Sequence, residues 1–237
     1  MIAGRPYESE AVRAVTGATI RPGDLALTRR AAEFCGLSPG DRLLDVGCGA
    51  GATASCLHSE FGAAVFGMDV SSVLLAEAAL QHSGINLVRA NAMDLPFTAG
   101  GFDAVFVECV CSLLPDAVSA LCGFHRVLKP GGHLVVADLY WRTCDRTVIQ
   151  PMASLGGCLA GAVDRHTLVR RIEAAELEVD LWEDHSDKLK QLAAQLVWAG
   201  VSLTDWWGVD CLPGACNNGR RLGYYLIIAH KKEKLRG

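Results

Sequence analysis

The stretch that decides the fold is Leu43-Leu44-Asp45-Val46-Gly47-Cys48-Gly49-Ala50-Gly51. An apolar strand pattern runs into three glycines that alternate with other residues, and a helical pattern follows. Glycine lacks a Cβ atom, so this turn can fold tightly and let a ligand approach the backbone. Open α/β sheets bind ligands at the carboxyl ends of their strands. The sequence therefore predicts a ligand site at this turn.

Outward from this turn, short apolar strands alternate with helical stretches. The predicted strands are 42–46, 64–69, 86–90, 102–108, 132–138, about 177–183 and 222–229. The predicted helices are 24–36, capped by Asp24, then 51–61, 71–83, 116–128, 164–176 and 187–200. This order is typical of a doubly wound α/β fold, a parallel sheet covered by helices on both faces.

Composition excludes several classes of protein. The 237 residues fit one large domain and carry a net charge of −4, which argues against a nucleic-acid binder because such proteins need a basic excess. No apolar run reaches the roughly 18 residues of a membrane helix, and no signal stretch opens the chain, so we expect a cytoplasmic protein without a membrane contact. The ten cysteines should be reduced there, and without a Cys-x-x-Cys pair we expect no metal site.

Two ligand classes compete for the glycine turn. Gly47-x-Gly49-x-x-Ala52, with Asp69 further on, satisfies the loose dinucleotide fingerprint of an NAD-dependent oxidoreductase. Asp45 distinguishes the two ligand classes, because a carboxylate two residues before the first glycine would repel the pyrophosphate of a dinucleotide. It suits the ammonium of a methionine moiety, so the residues favour S-adenosylmethionine over a dinucleotide. A turn that binds nothing is the third interpretation.

Two later segments agree with an adenosyl ligand. Asp69-Val70 ends the second predicted strand, where an acid can accept both ribose hydroxyls; a plain helix cap is the alternative. Asn91-Ala92-Met93 follows the third strand, where a polar side chain and the next backbone N–H can read the edge of adenine; an ordinary turn is the alternative.

Taken in order, these motifs resemble the class I S-adenosylmethionine-dependent methyltransferases, of the quinone-biosynthesis type. The resemblance covers roughly residues 25–140 and extends to Asp94-Leu95-Pro96-Phe97, Phe102-Asp103, Leu114-Pro115-Asp116 and Leu128-Lys129-Pro130-Gly131-Gly132. The family often has Asp where this chain has Asn91. The resemblance implies a Rossmann-like seven-stranded sheet, mostly parallel with an antiparallel last strand.

The same resemblance implies one methyltransferase domain over 1–237 and S-adenosylmethionine as cofactor. Residues 1–24 are then an N-terminal lid segment, 25–140 the cofactor-binding core, and 141–237 the acceptor-side loops, helices and last two strands. The cofactor-binding residues that it implies are Asp45, Gly47, Cys48, Gly49, Gly51, Asp69, Val70, Asn91, Ala92, Met93, Glu108 and Cys109.

The cysteines suggest an acceptor. Seven of the ten fall in loops predicted at the ligand edge of the sheet: Cys48, Cys109, Cys111, Cys144, Cys158, Cys211 and Cys216. Thiols gathered there indicate a thiophilic acceptor, and the stretches 108–116 and 157–162 partly resemble the arsenite methyltransferases. Cys109, Cys158, Cys211 and Cys216 are the acceptor-side candidates. Alternatively, these free cysteines are ordinary small buried hydrophobes.

The predicted function is transfer of a methyl group to a small-molecule acceptor by in-line displacement, with an arsenite-like acceptor as one version. The alternatives are an O- or C-methyltransferase of a quinone-like metabolite and a non-catalytic S-adenosylmethionine-binding scaffold. The sequence assigns no catalytic base and leaves a homodimer open.

Overall fold

The computed structural model describes Gly17, Thr19, residues 21–142, Leu159, and residues 161–202 and 221–233. Seven strands form one sheet: β1 (Arg42–Val46), β2 (Ala64–Asp69), β3 (Asn86–Arg89), β4 (Phe102–Glu108), β5 (Leu128–Trp141), β6 (Leu177–Asp184) and β7 (Leu222–Lys231). The helices of this part of the chain are α1 (Ala26–Phe34), α2 (Ala52–Phe61), α3 (Ser72–Gln81), α4 (Ala117–Val127), α5 (Arg165–Ala174) and α6 (Ser186–Trp198).

The strand order across the sheet is β3-β2-β1-β4-β5-β7-β6. The five strands β1 to β5 pair in parallel. Strand β7 runs antiparallel to both of its neighbours, β5 and β6. The predicted seven-stranded Rossmann-like sheet with an antiparallel last strand is therefore confirmed.

Alternating side chains of the strands build one apolar core on each face of the sheet. One core contains Leu43, Phe106 and Tyr224 and packs against α1, α2 and α6. The other contains Val107 and Tyr225 and packs against α4 and α5. Successive residues of a strand point to opposite faces, so the nearly continuous apolar strands of the sequence are explained by a sheet buried on both sides.

One face of α6 is lined by leucines and is buried. Leu189, Leu192 and Leu196 are 1%, 6% and 0% exposed. Their spacing of three and four residues places them on one side of the helix, which lies against β7. The apolar face of this helix is therefore the one that packs on the sheet.

The prediction that Asp24 caps the first helix is wrong. Leu25 precedes α1 and makes no side-chain cap bond. Asp24 lies one residue earlier, with φ at +52°, and its carboxylate accepts a hydrogen bond from the Thr19 hydroxyl. A local turn that ends in a left-handed residue thus competes for the carboxylate that would otherwise cap the helix.

Strand β5 begins at Leu128, earlier than the predicted start at 132. Leu128 pairs with Phe102, whereas the next pair joins His133 to Ala104, so β5 bulges between them. The bulge contains Pro130, which has no N–H to donate, and Gly131 at φ +77°. The Pro130-Gly131 segment is therefore an irregularity inside the strand.

Within the part of the chain that the structure describes, none of the helices has the length and apolarity needed to cross a bilayer.

Candidate functional site

The glycine turn after β1 has the tight geometry that its sequence predicts. The N–H groups of Gly47 and Cys48 both donate to Met68 O, at 2.7 and 3.0 Å. Gly47 has φ +73°, and a Cβ there would lie 2.3 Å from Val110 Cγ2. Gly49 has φ +54°, and a Cβ on it would meet nothing within 4 Å. The turn is thus packed at Gly47 and open at Gly49, where a ligand can reach the backbone.

Asp45 presents a buried carboxylate with an unsatisfied oxygen. The residue is 2% exposed, and its Oδ2 has no hydrogen-bond partner among the described residues. Burial and, to a smaller extent, the nearby Glu108 raise the pKa of Asp45 to about 8, although Arg21 opposes the rise. An unpaired buried carboxylate oxygen is costly. The site is therefore complementary to a hydrogen-bond donor that carries positive charge.

A second buried acid beside Asp45 is already paired. Arg21 forms an ion pair with Glu108, and the two side chains are 9% and 2% exposed. Arg21 Nη1 also donates to Thr53 Oγ1 at 2.6 Å, and Nη2 donates to Thr28 Oγ1 at 2.6 Å. Both threonine hydroxyls lie within hydrogen-bond distance of the Glu108 carboxylate, at 2.7 Å from Thr53 and 3.0 Å from Thr28. Arg21, just before α1, thus neutralises the charge of Glu108 at the end of β4.

Burial would lower the pKa of Arg21, but the Glu108 carboxylate and other nearby acidic groups outweigh that effect, so the pKa of Arg21 is raised. The guanidinium therefore stays charged in this buried position. The sequence identified Glu108 as a cofactor residue and assigned Arg21 only to a lid segment. The hydrogen bond from Arg21 to Thr53 joins residues 32 positions apart. Helix and strand periodicities act over a few residues, so they could not predict this contact.

Asp69 braces the glycine turn against the start of α3. Its Oδ2 accepts the N–H of Gly49 at 2.9 Å, and its Oδ1 accepts the N–H of Ser71 at 2.8 Å. The cap of α3 is Ser71, whose hydroxyl accepts the N–H of Leu74. Because a carboxylate oxygen has more than one lone pair, both oxygens of Asp69 retain capacity for ribose hydroxyls. Val70 beside it is 44% exposed.

The segment after β3 forms a closed turn. Asn91 Oδ1 accepts the N–H of Met93 at 3.0 Å, and Asn91 O accepts the N–H of Asp94 at 2.9 Å. Ala92 is buried. The segment therefore forms the ordinary turn that the sequence offered as the alternative to adenine recognition. The turn does not exclude adenine recognition, because the amide oxygen of Asn91 can accept a second hydrogen bond. The role of Asn91 in reading adenine stays a prediction.

On the acceptor side, the structure describes two of the predicted thiols near the end of β4. Cys109 has a left-handed backbone with φ +56°, and its Sγ lies 3.1 Å from the hydroxyl of Tyr224. Cys111 begins a short 3-10 turn, Cys111–Leu113, and burial raises the pKa of its thiol. Tyr224, which no sequence motif singled out, thus contacts a predicted site residue.

The remaining acceptor-side candidates, Cys158, Cys211 and Cys216, lie outside the described residues, as does Cys144. Cys48 is buried, and burial raises the pKa of its thiol. Among residues that the structure describes, no group of three His, Cys, Asp or Glu side chains could hold a metal ion. The hypothesis of an arsenite-like acceptor gains no support from this geometry.

Similarity to known proteins agrees with the geometry. A family model described as a methyltransferase domain matches residues 44–136. The O-methyltransferase cnsE of Penicillium expansum is 34% identical over 217 residues, 86% of this chain and 77% of its own length. The chain belongs to the methyltransferase-domain family. It is thus a member of the class I S-adenosylmethionine-dependent methyltransferases that the glycine turn and its neighbours predicted.

Other relatives share a shorter part of this methyltransferase domain. The O-methyltransferase rstn1 of Aspergillus nomiae is 34% identical over 128 residues, 52% of this chain and 57% of its own. The matches to the first curated relatives span only about half of their length, 57% and 45%. The crystal structure of the [4+2]-cyclase SpnF is 25% identical and superposes with a TM-score of 0.76, covering 94% of this chain and 93% of that one.

Proposed function

We propose that the chain binds S-adenosylmethionine at the glycine turn and transfers its methyl group to a small organic acceptor. The observation that carries this proposal is the unsatisfied Oδ2 of Asp45, which is buried among the described residues. A primary ammonium supplies the charged donor that this oxygen lacks. A diphosphate would add negative charge beside two buried acids, which argues against a dinucleotide at the same turn.

The charges of the site fit this cofactor. Asp45 and Glu108 are two acids that share one described cation, Arg21. The raised pKa keeps a proton on Asp45 near neutral pH, and an ammonium beside Asp45 displaces that proton. The cluster then holds two acids and two cations, so it stays electrically balanced. Asp69 would accept the ribose hydroxyls, and the turn at Asn91 would face the adenine.

Bound S-adenosylmethionine supplies an electrophilic methyl group, and the chain's own residues orient the acceptor and exclude water. The Tyr224 and Cys111 side chains keep their protons near neutral pH, because burial raises the pKa of each. Neither group therefore serves as a general base toward the acceptor. The main contribution of the protein is to hold the acceptor atom in line with the methyl group.

Relatives that are named O-methyltransferases support a hydroxyl group on a small organic molecule as the methyl acceptor. The curated matches also include a demethylmenaquinone methyltransferase, which agrees with the quinone-like alternative. SpnF is a cyclase on the same fold, and this favours one second candidate, a protein that binds the cofactor without methyl transfer.

Calorimetry with S-adenosylmethionine, S-adenosylhomocysteine and NAD tests the binding step. We expect binding of the first two, and we expect Asp45→Asn to weaken S-adenosylmethionine binding at least tenfold, the scale of one charged hydrogen bond (about 1.5–3 kcal/mol). Asp103→Asn is the matched control, because Asp103 pairs with Lys129 near the start of β4, away from the turn. Tighter binding of NAD than of S-adenosylmethionine would overturn the proposal.

Turnover requires a second measurement. Formation of S-adenosylhomocysteine over a panel of phenols, hydroquinones and arsenite identifies the acceptor class. We expect product with a hydroxyl-bearing acceptor. Binding without product on the whole panel would instead favour the cofactor-binding scaffold.

A further inference from the structure

Cys109 has a backbone conformation that needs support from its surroundings. Its φ is +56°, in the left-handed region that residues with a Cβ disfavour. Its N–H donates to Ala137 O at 2.8 Å, so β5 fixes the peptide that precedes it. A residue persists in this region only when neighbouring contacts hold it there, and such residues concentrate at functional sites.

Tyr224 supplies one of those contacts from the antiparallel last strand. Its hydroxyl lies 3.1 Å from Cys109 Sγ, and the whole residue is 0% exposed. Tyr224 pairs with Leu139 near the start of β7, at the sheet edge where β4 ends. A buried tyrosine hydroxyl requires a polar partner, and the Cys109 thiol is that partner.

The two residues that flank Cys109 both belong to the donor site. Glu108, before it, carries the buried carboxylate that pairs with Arg21. Val110, after it, packs directly on the glycine turn, since its Cγ2 lies 2.3 Å from where a Cβ of Gly47 would stand. A change of φ at Cys109 would rotate one of these neighbours relative to the other.

We propose that Tyr224 is a positioning residue for the donor site. Its hydroxyl holds Cys109 in the left-handed conformation, and Cys109 in turn places Glu108 and Val110 around the glycine turn. This inference rests on the proposed function, because its readout is the affinity for S-adenosylmethionine. Tyr224 acts through Cys109, so it need not touch the donor.

The first test compares Tyr224→Phe with Tyr225→Phe by calorimetry with S-adenosylmethionine. Both substitutions remove one hydroxyl from a tyrosine that is at most 1% exposed, but Tyr225 points to the opposite core and stacks on Trp182. We expect Tyr224→Phe to raise the Kd about fivefold, the scale of one neutral hydrogen bond. Tyr225→Phe should change the Kd less than twofold. Equal effects of the two variants would overturn the proposal.

The second test is a double-mutant cycle with Cys109→Gly. Glycine adopts a positive φ without strain, so its conformation no longer depends on the tyrosine hydroxyl. We expect Tyr224→Phe to have less than a twofold effect on the Kd in the Cys109→Gly background, against about fivefold in the natural one. A merely structural role of Tyr224 would give the same factor in both backgrounds, and that result would overturn the inference.

A third comparison applies if Tyr224→Phe does not fold. Cys109→Ala removes the thiol but keeps the Cβ, whereas Cys109→Gly removes the conformational restraint as well. We expect tighter donor binding by Cys109→Gly than by Cys109→Ala, and the reverse order would contradict the proposal. If the natural chain does not bind S-adenosylmethionine, the proposed function fails; if it binds and the cycle is additive, only the role of Tyr224 fails.

Discussion

Arg21 and Glu108 form an ion pair that is nearly removed from solvent, with side-chain exposures of 9% and 2%. The pair joins the segment before α1 to the end of the central strand β4, across 87 positions of sequence. Two threonine hydroxyls, from Thr28 and Thr53, complete the surroundings of the carboxylate. One buried polar cluster therefore joins Arg21, just before α1, to the end of β4, and we propose that this cluster forms part of the donor site.

Removing the cation of this pair should destabilise the fold. Arg21→Met leaves Glu108 buried with only neutral hydroxyl partners, and we expect a loss of about 3–5 kcal/mol in the free energy of unfolding. Urea denaturation at pH 7.5 measures it. Arg29→Met is the matched control, because Arg29 pairs with Glu60 on an exposed surface, where ion pairs contribute little. Equal stability losses in the two variants would contradict the buried role of Arg21.

The fold and part of the site could be predicted from local sequence. Strand β1 over Arg42–Val46 and the turn at Gly47 follow from an apolar run and the special conformations of glycine, which act within a few residues. Asp45 was identified by its chemistry and its position before the turn. The contact between Arg21 and Glu108 could not be predicted, because neither spacing nor composition specifies which distant side chain a lone arginine meets.

The role of Tyr224 could be predicted only in part. The adjacent pair Tyr224-Tyr225 in an apolar strand already implies that one hydroxyl is buried on each face, and a buried hydroxyl needs a partner. The sequence therefore held a signal for a polar contact in each core. It could not identify Cys109 as the partner, since that depends on the left-handed end of β4 and on the antiparallel direction of β7.

Donor binding should be coupled to proton release. Burial raises the pKa of Asp45 to about 8, so at pH 7 the free protein holds a proton there that an incoming ammonium displaces. We expect the affinity for S-adenosylmethionine to rise with pH between 6 and 8, by up to tenfold per unit. Above about 8 it should fall again, because the ammonium of an α-amino group loses its own proton there.

Calorimetry in two buffers of different ionisation enthalpy, at pH 6, 7 and 8, counts the protons released on binding.

The raised pKa of Asp45 predicts the opposite pH trend for the stability of the fold. The native state binds the Asp45 proton more tightly than the unfolded chain does, so this group's contribution is full below about pH 4 and is lost as the pH rises through about 8. Asp45→Asn should abolish both trends, and persistence of either in that variant would exclude Asp45 as their source.

Asp138 should hold the loop after β4 in place. The residue is 1% exposed, and its carboxylate accepts the Ser112 N–H at 2.8 Å, the Ser112 hydroxyl at 2.7 Å and the Leu139 N–H at 2.7 Å. Asp138→Asn places an NH₂ group against some of these donors. We expect a loss of about 1–3 kcal/mol in the free energy of unfolding.

The matched control is Asp187→Asn, because Asp187 is exposed on α6 and pairs only with the neighbouring Lys190 in the contacts described.

Burial raises the pKa of Asp138 to about 6, although the hydrogen bonds from Ser112 and Leu139 oppose the rise. Its contribution to stability is thus full below about pH 4 and is lost as the pH rises through about 6. Thermal melts across pH 4 to 7 measure this slope, and the natural chain and Asp138→Asn should differ in it; identical slopes would refute the assignment.

Two alanine substitutions in the glycine turn should have different effects: Gly47→Ala mainly lowers the stability of the fold, and Gly49→Ala mainly weakens donor binding. At Gly47 a methyl group would lie 2.3 Å from Val110 Cγ2, so Gly47→Ala forces the loop after β4 to move. Together with the penalty of its own positive φ, this should cost about 2–5 kcal/mol in stability. At Gly49 the methyl group would meet no protein atom within 4 Å. Gly49→Ala should therefore cost only the penalty of its positive φ, about 1–2 kcal/mol, and its methyl group would occupy the space that we assign to the donor.

We expect Gly49→Ala to weaken S-adenosylmethionine binding at least tenfold relative to Gly36→Ala. Gly36 is the matched control because it has φ +62° and equally open surroundings, but it lies in the loop between α1 and β1. The backbone penalty is then similar in both variants, so the difference in Kd reports the space at Gly49 alone. Equal affinities of the two variants would place the donor somewhere other than against the glycine turn.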